Sequence, residues 1–223
     1  MERQGYRMKR PPESLALTYD AEKYLRKIIE YCQKNEIEIT LFSSPIYELQ
    51  VLSTENYDAY IEQIKQIAKE YQVKYYDFNV AKEENLSIQN IEMFMDPGHL
   101  NVKGARMFTE FFYTVISMPS EENKELFYNS YMEKMRNNES NVYGIYYYSA
   151  VDNNEEWFVN IASNRATGLE YKVIMTGEDG EQKVYQEFSN NKSYRIPKKW
   201  VGICTILWRE QGQREIKELN IEF

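Results

Sequence analysis

The sequence predicts an α/β unit with a parallel sheet and flanking helices, followed by an all-β sandwich. Two observations carry this reading: helix and strand periodicities alternate through the first half, and from Val142 onward short β-rich runs are separated by turn-rich breaks. A polar stretch, RNNESN at 136–141, lies where the composition changes. The expected organisation is therefore an α/β domain over 1–118, a helical connector and linker over 119–141, and the sandwich over 142–223.

Between Thr18 and Asn35, Ala21, Tyr24, Leu25, Ile28, Ile29 and Cys32 recur at helical spacing with charges opposite, which predicts an amphipathic helix. A strand follows at 37–42, where Ile37, Ile39 and Leu41 alternate and Phe42 precedes the stop SSP. The rhythm repeats: Tyr57, Tyr60, Ile61, Ile64, Ile67, Ala68 and Tyr71 form a second helical stripe, and VKYYDF is a second strand. Residues 79–95 read as irregular. DPGHLN then leads into a third helix, capped by Asn101, in which Ala105, Phe108, Phe111, Phe112 and Val115 share a face. After Pro119, Leu126, Phe127, Tyr131 and Met135 suggest helical turns. The β-rich runs fall at 142–151, 156–162, 169–176, 183–188, 192–197, 201–210 and 217–223, about seven strands at sandwich spacing, with no internal repeat.

Composition narrows the function classes. A net charge of -8 over 223 residues would repel a phosphate backbone, so nucleic acid is not an expected partner. No apolar run is long enough to span a membrane, and the opening MERQGYRMKRPPE lacks the apolar core of an export signal. The two cysteines, Cys32 and Cys204, sit at apolar positions and are expected to be buried free thiols. With one histidine and no cysteine cluster, no metal site is expected, and without a glycine-rich phosphate loop no nucleotide cofactor is either.

The single histidine, His99, stands three residues after Asp96 across Pro97 and Gly98. A general base working near neutral pH is most often a histidine, and it needs a carboxylate to hold its tautomer and orientation. A Pro-Gly turn brings both side chains toward one side, within an expected 2.6 to 3.2 Å of each other as for any working pair (~3 Å). Alone, the pair also fits a plain turn with a surface histidine.

Order and context weigh against the plain turn. The succession ITLFSSPIY, VKYYDFN, an irregular loop, DPGHLN and the small-residue helix start NVKGARMF resembles the last catalytic block of SGNH/GDSL hydrolases, over residues 14–118. That resemblance implies a flavodoxin-like sheet and O-acyl or acetyl ester hydrolysis on carbohydrate or cell-envelope polymers, with Asp96 as the orienting acid and His99 as the base. The family's nucleophile motif of Gly-Asp-Ser type, and the glycine and asparagine of its oxyanion hole, are not found here. Ser14 lacks a preceding strand, and Ser43 and Ser44 follow a strand after which the family places no nucleophile. The chain by itself is therefore expected to be catalytically silent, as the C-terminal portion of a longer hydrolase. The alternative is a non-catalytic binding or assembly module.

Two partner expectations follow. The strand 37–42 would lack its neighbours and pair with a second copy through its open edge, giving a homodimer; the competing expectation is that the β-sandwich folds back over that edge within one chain. Tyr143, Tyr146, Tyr147, Tyr148, Trp157, Trp200 and Trp208 form either a carbohydrate-stacking platform or the sandwich core. The sandwich is expected to be Ig-like.

Overall fold

The structure, a computed structural model, describes residues 5–8, 12, 14–88, 91–137, 142–163, 168–200 and 202–222. In chain order it contains β1 (Tyr6–Arg7), α1 (Tyr19–Lys34), β2 (Thr40–Ser43), α2 (Glu48–Leu52), α3 (Tyr57–Glu70), β3 (Lys74–Asp77), β4 (Phe94–Asp96), β5 (His99–Leu100) and α4 (Val102–Ser117). Two short helices, α5 (Ser120–Asn123) and α6 (Tyr131–Asn137), come next. The strands β6 (Val142–Ser149), β7 (Glu156–Ser163), β8 (Leu169–Gly177), β9 (Gln182–Ser189), β10 (Ser193–Pro197), β11 (Gly202–Glu210) and β12 (Lys217–Glu222) complete the chain. It divides into two compact units, Glu13–Met135 and a second made of Met1–Pro12 with Arg136–Phe223.

The first unit is α/β. α4 starts where the sequence places its cap, Asn101 accepting the N–H groups of Lys103 and Gly104, and α1 starts after Thr18, whose hydroxyl accepts the Ala21 N–H. β2 and β3 pair in parallel in the register Thr40↔Lys74 to Ser43↔Asp77. Among the described residues this parallel sheet has two strands, so a full flavodoxin-like sheet is not present. β2 begins at Thr40 and not at Ile37, because the Ile37 N–H still bonds the Cys32 carbonyl as part of the helix exit. Phe78, directly after β3, is the hub of an aromatic core: α4 brings Phe108 at 4.9 Å, Phe111 and Phe112 around it, and β2 brings Phe42.

The segment after Pro119 is no free connector. Phe127 packs on Phe78 at 5.5 Å and its backbone bridges Ala81, while the Lys82 N–H bonds Leu126 O and the Tyr128 N–H bonds Val80 O. Tyr131 stacks edge-on with Tyr57, and Met135 is buried. The expected domain end at 118 thus falls short of the unit's end, because these residues complete its core.

The second unit holds two four-stranded sheets, in the orders β1-β6-β7-β10 and β12-β11-β8-β9. β8 and β11 alternate buried and partly exposed residues, as strands with one face toward a core must. Their inward residues Tyr171, Val173, Met175, Cys204 and Ile206 share one buried cluster with Val159 and Ile196 of the facing sheet. The seven expected strands are present, and β1 adds an eighth. Tyr6 and Arg7 pair in parallel with Tyr146 and Tyr147, the Met8 N–H bonds Tyr147 O, and the Arg7 guanidinium lies 4.7 Å over Trp157. By sequence residues 6 and 7 fall in the α/β domain, since two residues carry no periodicity; the structure places them in the second unit.

Cys204 is fully buried and hydrogen-bonded to the Tyr194 phenol at 3.2 Å, and burial pushes its thiol pKa up to about 11. Cys32 is only half-buried, which corrects the expectation of two buried thiols. A disulfide-exchange reagent is therefore expected to modify one thiol of the native protein, at Cys32, and to reach Cys204 only with unfolding, because the thiolate is the reactive form. Two equally fast thiols in a native titration would refute this.

Candidate functional site

Asp96 and His99 face each other across a two-strand hairpin, β4 with β5, whose turn is Pro97-Gly98. Directly opposed residues of an antiparallel pair project their side chains to the same face. The Gly98 N–H donates to Asp96 Oδ1 at 2.9 Å, an aspartate turn that holds the carboxylate over the loop. His99 Nδ1 lies 2.8 Å from Oδ1 and 3.0 Å from Oδ2 of Asp96, within the separation expected from the sequence. The bond from His99, then the one from the Gly98 N–H, hold Asp96 below the usual carboxylate range. The stabilisation of the turn by this carboxylate is present above the ordinary aspartate pKa and is lost as pH falls through the lowered one.

With Nδ1 facing the carboxylate, Nε2 is the ring atom left to exchange a proton with another group. The pair is open: 72% of the histidine side chain and 50% of the aspartate side chain are exposed. Water and salt screen a pair this exposed, so its charge-steadying effect is weak until something covers it.

The hairpin is tied to the sheet by a buried polar relay that sequence reasoning missed. Asp77, the last residue of β3, accepts hydrogen bonds from Tyr57 Oη at 2.9 and 3.0 Å and from the backbone and side-chain nitrogens of Asn79 at 3.1 and 3.0 Å. The Asn79 amide in turn clamps the loop after β2, donating to Ser44 O at 3.1 Å and accepting the Ile46 N–H at 2.8 Å. One residue on, the Tyr47 N–H bonds Pro97 O at 2.8 Å, and the Tyr47 ring packs on Phe94. Lys134, itself buried, donates to Asn79 O at 2.9 Å. Burial raises the Asp77 pKa and lowers that of Lys134. The signal for this relay was the polar pair Asp77 and Asn79 flanking Phe78 at the end of an apolar strand. Polar residues there also read as an ordinary strand exit.

The serines stand elsewhere. The Ser43 hydroxyl is bonded to the Tyr75 phenol at 2.7 Å, and Ser14 contacts Glu55 at 3.4 Å. Ser44 is exposed and enters the relay through its carbonyl. No hydrogen bond joins any of the three to His99 among the described residues. The described residues also contain no cluster of three or more His, Cys, Asp or Glu that could hold a metal ion, and no helix long and apolar enough to cross a membrane.

The aromatics proposed for sugar stacking are largely interior. Trp208 and Tyr143 are buried, and Tyr147, Trp157 and Trp200 pack against the sandwich core, leaving Tyr146 and Tyr148 partly exposed.

Comparison with known proteins adds one finding: a family model of uncharacterised proteins matches residues 13–121, within the α/β unit. No curated protein and no solved structure matches the chain.

Proposed function

We propose that the α/β unit carries the acid–base half of an SGNH/GDSL-type ester hydrolase site, with His99 as the base and Asp96 as its orienting acid. The observation that supports this most is the Asp96–His99 Nδ1 contact of 2.8 Å, made in a hairpin directly before a helix and braced to the ends of two parallel strands. In open α/β sheets, ligands bind beyond the carboxyl ends of the strands, which is where this relay lies. In the proposed reaction, His99 Nε2 takes the proton of a nucleophilic hydroxyl as its oxygen attacks an acyl carbonyl. Nε2 then returns that proton to the leaving alcohol, and water later hydrolyses the acyl-enzyme by the same base. Asp96 steadies the imidazolium and does not itself take the proton.

The hydroxyl is not one of the described serines and would be brought by another polypeptide segment, which would also cover the open pair. The substrate class is an O-acyl or acetyl ester, of a carbohydrate or envelope polymer. The second unit is read as Ig-like: lettered A to G from β6 to β12, its sheets are A-B-E and G-F-C-D, a constant-type arrangement with strand D moved to the other sheet. A non-catalytic assembly role is the second reading, favoured by the Ser43 hydroxyl being held by Tyr75.

The test is hydrolysis of a chromogenic acetate. The chain alone is expected to show no rate above a His99→Ala control. A protein extended by the flanking coding sequence, if that encodes a strand and a Gly-Asp-Ser motif, is expected to turn over and to lose on the order of 10⁴-fold or more in His99→Ala. Turnover by the extended protein that is indifferent to His99 would overturn the assignment, and absence of turnover would favour the assembly role.

A further inference from the structure

We infer that the open edge of β2, together with the uncovered flank of α1, is a self-association surface that joins two copies of this chain edge to edge. The starting point is a mismatch between sequence and burial. β2 carries Leu41 and Phe42 on its two faces, yet none of its four residues is buried. α1 has an apolar face about twice as wide as the part the unit covers: Ile29 is fully buried, whereas Tyr24, Ile28 and Tyr31 are 58%, 55% and 65% exposed.

These features lie on one side of the unit. The flank of α1 bearing Arg26 and Glu30 is pinned to α3, by Arg26 to Glu70 at 2.7 Å and by the Tyr71 phenol to Glu30 at 2.7 Å. At 3.6 residues per turn, Tyr24, Ile28 and Tyr31 fall on the opposite flank. Since α3 links β2 to β3, that flank faces away from β3, on the side of the β2 edge that pairs with no strand among the described residues.

The two edges of the sheet are treated differently, and this selects the partner. Along β3 lysines and a neighbouring segment stand by the strand: Lys74 lies in it, and Lys65, Lys124, Phe127, Tyr128 and Asn129 line a cavity of about 460 Å³ beside it. Natural sheets blunt their edges in this way, with lysines and overlying segments. The β2 edge, from Thr40 to Ser43, carries no charged residue, and no strand other than β3 pairs with β2 among the described residues. An uncharged edge of unpaired N–H and C=O groups suits an identical edge, and a two-fold axis closes such a pair without propagating it.

The available area is adequate. Exposed fractions of 58%, 55%, 65%, 49% and 46% for Tyr24, Ile28, Tyr31, Ile37 and Phe42 come to roughly 600 Å² of residue surface per copy, taking about 200 to 250 Å² for each whole residue. With the strand backbone added, this approaches the ~800 Å² per partner of a stable interface. The inference does not rest on the hydrolase reading, and its test does not use activity.

Light scattering at micromolar concentration is expected to give twice the chain mass. Ile28→Glu and Tyr31→Glu, on exposed positions of a helix, are expected to weaken association on the order of 30-fold or more each, as for interface anchors, with the circular dichroism spectrum unchanged. Lys74→Glu, on the other edge, is expected to leave the dimer intact. Hydrogen exchange on the unaltered chain provides a check that does not depend on variants folding: the outward amides of β2 should be protected in concentrated solution and exchange freely on dilution. A monomer at micromolar concentration, a dimer insensitive to both glutamate variants, or β2 amides that exchange equally at all concentrations would overturn the inference.

Discussion

Gly104→Ala is expected to destabilise the α/β unit by about 3 kcal/mol, the upper end of overpacking costs. In the first turn of α4, a methyl group on Gly104 would sit 2.2 Å from Met93 O and 3.1 Å from Leu100 Cδ2. The obstacle is a backbone carbonyl and cannot rotate aside. It also accepts the Asn101 N–H at 3.0 Å, so moving it breaks the helix cap and shifts the hairpin that carries His99. The opposing effect is the better helix propensity of alanine, about 1 kcal/mol, so the clash decides the sign. Urea denaturation measures the change, and a midpoint equal to or above that of the unaltered protein would show that Met93 gives way freely. The His99 ring resonances should shift in the same variant, because the cap and the hairpin share the Met93 carbonyl.

Asp77→Ala is expected to cost still more, about 3 to 5 kcal/mol, since it strands several buried donors at once. Tyr57 Oη, Asn79 N and Asn79 Nδ2 all point at this carboxylate, and the loop from Ser44 to Ile46 depends on the Asn79 amide they position. Asp77→Asn keeps the shape and one acceptor oxygen for the Asn79 donors, and its NH2 can donate to the Tyr57 hydroxyl, so its loss is expected to be smaller. Burial raises the Asp77 pKa in the folded protein. The carboxyl's contribution is then fully present below its unfolded pKa and is lost as pH rises through the folded one. Stability of the unaltered protein relative to Asp77→Asn should accordingly fall as pH rises from the ordinary aspartate range through the raised folded pKa. A relative stability that rises over that range would mean the hydrogen bonds from these three donors outweigh burial and keep the group charged.

The order of elements was legible in the sequence because each rests on a local rule. Thr18 and Asn101 cap their helices through bonds to N–H groups two or three residues on, and the strands of the second unit announce themselves by alternation between turns. The Asp96–His99 contact belongs to the same class: two side chains directly opposed across a two-residue turn meet whatever the rest of the chain does. Sequence also determined the chemistry on offer, one imidazole backed by one carboxylate, with no serine in a nucleophile motif.

Tertiary structure decided what depends on partners distant in the chain. Whether Phe127 closes the α/β core or belongs to a linker turns on a ring 49 residues away in sequence, at Phe78. Tyr6 and Arg7 become a strand only because β6 offers its edge. The apolar face of α1 reads as one continuous stripe, yet packing buries Ile29 and leaves Tyr24 and Ile28 exposed. Asp77 and Asn79 read as a strand exit until Tyr57 and the Ser44–Ile46 loop are brought onto them. Hydrogen bonds and burial between remote segments leave no period in a sequence, since each requires only that two residues be compatible once the chain has folded, and many residues are.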